Sequence, residues 1–159
     1  MKTPTPQPIV LVTFSCRSGD TEKLALSAAV GAVQARALIR LRRLPDVDST
    51  ESTDTLTRMR KEYVPPTEND ILGADALILA SSPETNASFQ EWLSFLDLML
   101  KLRDEGKLAL KVGAAIGGLS PLLADLGLVT IPALSADPVE LGRMVVNKAR
   151  SLKASKESS

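Results

Sequence analysis

Apolar and polar stretches alternate along this chain at the spacing of strands and helices taken in turn. Residues 8–14 hold an apolar run, Ile9, Val10, Leu11, Val12 and Phe14, that reads as a buried strand. Residues 21–34 follow as a helix with an inner stripe of Leu24, Ala25, Ala28 and Ala32, small enough to pack close to a sheet. Residues 37–41 form a second strand, and Arg40, Arg42 and Arg43 place it at an edge. The pattern is weakest over residues 46–69. A helix is expected over 49–62, ended by Pro65 and Pro66, and the segment is either an arm near a ligand or merely mobile.

Residues 74–80, Ala-Asp-Ala-Leu-Ile-Leu-Ala, make the clearest strand. Ser88, Phe89, Gln90 and Glu91 form a capping box that opens a helix reaching residue 103. On it, Phe89, Trp92, Leu93, Leu96, Met99 and Leu100 share one face, and Phe95, Leu98 and Leu102 make a second apolar stripe. Such a helix is either deeply buried or packed on another subunit. Residues 111–116 are a fourth strand, Ser120 and Pro121 cap a short helix ended by Gly127, and residues 128–131 are a fifth strand. Asp137 and Pro138 open a last helix, and residues 1–7 and 153–159 read as polar tails. No internal repeat interrupts the series.

Five strands alternating with helices imply an α/β domain over residues 1–159, with a parallel sheet covered on both faces. Right-handed crossovers restrict the topology, and in such a parallel sheet a ligand sits beyond the carboxyl ends of the strands, where the strand order switches. Polar loops follow strands one, three and four, so they should meet on one edge of the molecule.

Composition narrows the chemistry. The 19 basic residues balance the 19 acidic ones, which favours neither nucleic acid nor an anionic membrane as partner. Cys16 is the single cysteine, so no intramolecular disulfide forms and a cytoplasmic, reducing setting is expected. There is no histidine, which removes the commonest general base and the commonest zinc ligand. The first residues lack the basic-then-apolar pattern of a secretory signal, and no apolar run approaches the ~20 residues of a membrane span.

The first loop carries the strongest chemical signal. Ser15, Cys16, Arg17, Ser18, Gly19, Asp20 and Thr21 lie between a buried strand and a helix N-terminus. A loop rich in hydroxyls and glycine at that place is a phosphate cradle, because its N–H groups converge and the helix dipole adds partial positive charge. The alternative is a capped helix that holds no ligand. Cys16 also sits where a thiol pKa is lowered, but with no resolving cysteine it reads as a small residue in a tight turn.

This strand, loop and helix resemble the phosphate loop of the flavodoxin-like superfamily, in which a hydroxyl residue is followed by two variable residues, Gly, one residue and Thr. Gly19 and Thr21 match, and Cys16 stands where Ser or Thr is usual. Residues 74–83, Ala-Asp-Ala-Leu-Ile-Leu-Ala-Ser-Ser-Pro, resemble the third strand and second flavin loop of the tryptophan-repressor-binding-protein type of NAD(P)H:quinone oxidoreductase and of NADPH-dependent FMN reductases. Phe95, Leu96 and Asp97 fit the end of the helix motif that follows. The resemblance implies a three-layer sandwich with a five-stranded parallel sheet in the order 2-1-3-4-5.

It also implies FMN as cofactor, NAD(P)H as donor and a quinone or similar small molecule as acceptor. Ser15 to Thr21 would hold the phosphate, with Arg17 adding a charge-assisted bond. Pro83, Glu84, Thr85, Asn86, Ala87 and Ser88 would run beside the isoalloxazine ring, and Gly117, Gly118, Leu119 and Ser120 would form the other wall. The flavin does the redox chemistry, so no acid–base side chain is required.

Other features of the residues support an alternative, a flavodoxin-like domain with weak or no flavin binding that acts as a binding or regulatory protein. The chain has three Phe, one Tyr and one Trp, none of them in residues 81–88 or 117–120. Tyr63 is the remaining candidate to stack on a ring, since Phe89 and Trp92 belong to a helix stripe. Asp20 and Glu84 bring negative charge to the loops, and the third loop is short. An electron-carrier flavodoxin is a third reading, disfavoured by the balanced charge. The two-striped helix over 89–103 is either core alone or the interface of a homo-oligomer.

Overall fold

The computed structural model describes residues 7–15, 20–45, 53–82, 90–131 and 137–157. The sheet is built from β1 (Ile9–Phe14), β2 (Leu38–Arg43), β3 (Ala76–Ala80), β4 (Val112–Ile116) and β5 (Val129–Thr130). The strands are all parallel and stand in the order β2-β1-β3-β4-β5. The helices are α1 (Asp20–Gln34), α2 (Asp54–Glu62), α3 (Glu68–Leu72), α4 (Gln90–Asp104), α5 (Leu122–Asp125) and α6 (Pro138–Glu157).

The period-2 alternation of the strands divides the core into two layers. Val10, Val12 and Phe14 of β1, with Ala76, Ile78 and Ala80 of β3, face α1, α2 and α6. Leu11, Leu77, Leu79 and Ala115 face the other way, onto α3, α4 and α5. The first layer is lined by alanines, and α1 and α6 approach each other more closely than side chains would allow. A Cβ on Gly31 would lie 2.7 Å from the carbonyl carbon of Val139, and one on Gly142 would lie 2.9 Å from the amide nitrogen of Ala32.

β2 is an edge strand, as its arginines predict, but they are not simply solvated. Arg42 grips Asp70 with Nε at 3.0 Å and Nη2 at 3.3 Å, and the Arg43 side chain is buried. Asp70 also completes a capping box with Thr67 that starts α3. Burial raises the Asp70 pKa, but Thr67 and Arg42 outweigh it and hold the carboxyl below its usual range.

Several sequence expectations shift. Leu24 is partly exposed, and the inner stripe of α1 is instead Thr21, Glu22, Ala25, Ala28, Ala29, Gly31 and Ala32. On α4 the buried side chains are Trp92, Phe95, Leu96, Met99 and Leu102, while Leu93 and Leu100 face outward, so the two expected stripes are cut differently. No side chain caps α5. The polar stretch from residue 153 is helical to Glu157, because Leu152 packs on the first core layer and Lys153 pairs with Asp75 at 3.1 Å. The capping box at Ser88 and the part of the expected helix over residues 49–52 lie outside the described residues.

Candidate functional site

Because the strands are parallel, the loops after β1, β3 and β4 all leave from one end of the sheet. Strand order reverses about β1: the chain moves from β1 outward to β2 and then back across to β3. The carboxyl ends of β1 and β3 therefore flank the crevice where such sheets receive ligands.

Ser15 follows β1 directly, and its N–H donates to the Ala80 carbonyl at the end of β3 (3.3 Å). Thr21, in the first turn of α1, is buried, whereas Asp20 is exposed. Cys16, Arg17, Ser18 and Gly19, and Pro83 through Ser88, lie outside the described residues. The described part of the site is thus Ser15, Asp20 and Thr21, the start of the second loop at Ser81 and Ser82, and the third loop.

The second and third loops are joined along their backbones. Ser81 N–H donates to Ile116 O at 2.8 Å, and Gly118 N–H donates to Ser82 O at 3.1 Å, which carries the β3–β4 pairing beyond both strands. Gly117 makes this approach feasible. It adopts a φ of 99°, and a Cβ there would lie 2.7 Å from Ser81 Oγ and nearer still to the Ser81 carbonyl oxygen. The result is one continuous backbone surface across the two loops. Leu119 turns its side chain into the second core layer, so in the third loop Gly117, Gly118 and Ser120 are the residues left accessible.

A polar network that sequence reasoning missed lies beside the first loop. Glu22, 6% exposed, sits in the first turn of α1. It accepts from Arg58 Nη2 at 2.6 Å, from Arg58 Nη1 at 3.0 Å and from the Tyr63 hydroxyl at 2.6 Å. Arg58 also donates to Glu62 at 2.7 Å. Arg58 holds the Glu22 carboxyl below its usual range; burial opposes this, while Tyr63 and Arg43 add to it. Burial, then the bond to Glu22, pushes the Tyr63 hydroxyl up to about 12. One signal for this network was available: Glu22 falls in the same helical stripe as Ala25, Ala29 and Ala32, and a carboxylate in a buried stripe needs partners.

The network fixes α2 against the N-terminal end of α1. It also decides where the candidate stacking residue goes. The Tyr63 ring meets Phe14 edge-on, with centroids 5.0 Å apart, while its hydroxyl is held by Glu22. Trp92 is fully buried in the second core layer, edge-on to Phe95.

The architecture is the flavodoxin-like fold. A WrbA-like flavodoxin from Agrobacterium tumefaciens superposes with a TM-score of 0.54 at 16% identity, covering 96% of this chain and 100% of that one. The two-electron reduced flavodoxin of Megasphaera elsdenii gives 0.57 at 16% identity, covering 89% of this chain and 98% of that one. A protein described as a flavone reductase gives 0.52 at 17% identity, covering 91% of this chain and 64% of that one. No family model and no curated protein matches the sequence. At these identities the likeness is one of fold. Among the described residues, no helix is long and apolar enough to cross a membrane.

Proposed function

We propose that this protein binds FMN at the carboxyl ends of β1, β3 and β4. The observation that carries the reading is the backbone-joined surface that Gly117 and Gly118 make with Ser81 and Ser82, at the same end of the sheet as the α1 N-terminus. The residues present fit the group. A planar ring needs closely joined backbone with N–H and C=O groups at its edge, and a phosphate needs a helix N-terminus free of uncompensated acid. Of the two acids in the first turn of α1, Glu22 has its carboxylate bound by Arg58 and Tyr63 within the protein, and Asp20 is exposed to solvent.

In this reading Ser15 to Thr21 bind the phosphate, Pro83 to Ser88 run along one side of the ring, and Gly117 to Ser120 close the other. Bound FMN supplies hydride chemistry, and the chain binds the flavin, orients it and excludes water. The finer form of the proposal is a reductase that takes hydride from NAD(P)H and passes it to a quinone or similar small acceptor. A second reading has one observation in its favour. Tyr63 is committed to Phe14 and Glu22, and no other aromatic ring lies among the described residues of the site. This supports a domain with weak flavin affinity that acts as a binding or regulatory protein.

The visible spectrum of purified protein, recorded after FMN is added and unbound flavin removed by gel filtration, separates the two. Retained flavin bands that bleach with NADH or NADPH and return on adding a quinone support the reductase. Retained bands that neither nucleotide bleaches limit the proposal to flavin binding, and a colourless protein favours the second reading.

A further inference from the structure

The opposite end of the sheet carries a cavity of about 550 Å³, bounded by the start of β3, the turn before β4 and the last turns of α6. That volume lies within the ~300–1,000 Å³ of small-molecule sites. Its wall has two halves. Leu110, Ala149 and Leu152 make an apolar side, and Asp75, Lys111 and Lys153 make a charged one.

The charges do not cancel. Asp75 Oδ2 accepts from Ile9 N–H at 2.8 Å and pairs with Lys153 at 3.1 Å. Lys111 donates to Leu72 O at 3.1 Å and to Ala74 O, and among the described residues no carboxylate forms an ion pair with it. Two ammonium groups therefore lie beside one carboxylate, which among the described residues forms an ion pair with Lys153 alone, next to hydrocarbon. Burial lowers the Lys111 pKa and the nearby Lys153 adds to the shift, while Asp75 opposes it. The rim is also strained. Leu110 is held at a φ of 66°, in the left-handed region, with its side chain 57% exposed. The fold thus maintains a costly backbone conformation that keeps a large apolar group at the mouth of the cavity.

We propose that this cavity is a second ligand site, for a small organic anion with an apolar body. Its carboxylate or sulfonate would sit on Lys111 and its hydrocarbon part against Leu110, Ala149 and Leu152. A simple inorganic anion would leave the apolar half unmet, and a neutral hydrocarbon would leave the excess positive charge without a counter-ion. The site lies at the far end of the sheet from the flavin cradle and does not depend on that reading.

The test is titration of the 15N-labelled full chain with octanoate, with octanol as the uncharged comparator, followed by amide chemical shifts. Saturable shifts confined to residues 74–75, 109–111 and 149–153 are expected, with octanol about tenfold weaker. Lys111→Met should weaken octanoate by about tenfold, and Lys111→Arg should largely restore it. Because Lys111 also holds two carbonyls, Leu110→Gly provides a variant that suits the backbone and removes the apolar rim; it too should weaken octanoate several-fold. Absence of saturation, equal affinity for octanol, or unchanged affinity in both folded variants overturns the proposal.

Discussion

Gly117 crosses Ser81 so closely that a Cβ on the glycine would lie 2.7 Å from the serine Oγ. The two residues directly follow the neighbouring strands β4 and β3, and their contact turns two separate loops into one backbone surface. With φ at 99° the position also disfavours any L side chain. Gly117→Ala is therefore expected to separate the loops, cost about 3 kcal/mol of stability and abolish FMN retention. Denaturant unfolding and the absorption spectrum read the two effects independently. A variant as stable as the parent would mean that the loops are not joined as described.

The Glu22–Arg58–Tyr63 network should make stability depend on pH at both ends of the scale. Glu22 has its pKa lowered below 4.5, so its contribution is complete above that value and is lost as pH falls through the folded one. Tyr63 is raised from 10.0 to about 12, so its contribution is present below pH 10 and fades as pH rises toward 12. Glu22→Ala is expected to cost about 2 kcal/mol at neutral pH, less than a fully buried pair would, because Arg58 is 43% exposed. Tyr63→Phe should flatten the alkaline loss. Urea unfolding between pH 3 and pH 12 checks both signs.

Close packing of α1 on α6 depends on Gly31 and Gly142 meeting backbone rather than flexible side chains. Alanine at either position has no neighbour that can simply rotate away. Each substitution should cost about 3 kcal/mol and lower the thermal midpoint by several degrees, as differential scanning calorimetry would read.

Oligomerisation through α4 is a proposal that α1 now rivals. Leu93 and Leu100 point outward from α4, but Leu26, Val30 and Val33 form an exposed stripe on α1 at helical spacing. If α4 is the interface, sedimentation equilibrium should give a multiple of the chain mass that falls to the monomer in Leu93→Lys and persists in Val30→Lys. The reverse outcome would move the interface to α1, and a monomeric parent would remove it.

The alternation of strand and helix was legible because each buried strand is a short apolar run between turn residues, as in residues 76–80. That pattern gave a parallel sheet of five strands, while their order, β2-β1-β3-β4-β5, came from the resemblance to the flavodoxin-like superfamily. Which stripe of a helix faces inward was less legible. Leu24 and Leu93 have the right residue type and the wrong angle, since only neighbouring elements decide between adjacent apolar stripes. The third loop was placed correctly at the end of β4, but a glycine-rich sequence does not reveal that its backbone is joined to Ser81 and Ser82. Glu22 was missed because its partners, Arg58 and Tyr63, are 36 and 41 residues away. No local pattern carries that information.

The central claim is that the first loop holds a phosphate and the other two hold a flavin ring. Parallel titrations of the protein with FMN and with riboflavin, followed by quenching of flavin fluorescence, test both parts at once. FMN is expected to bind saturably and riboflavin about tenfold or more weaker, since it lacks the group that the α1 N-terminus receives. Equal quenching by the two flavins, or none by either, would contradict the claim.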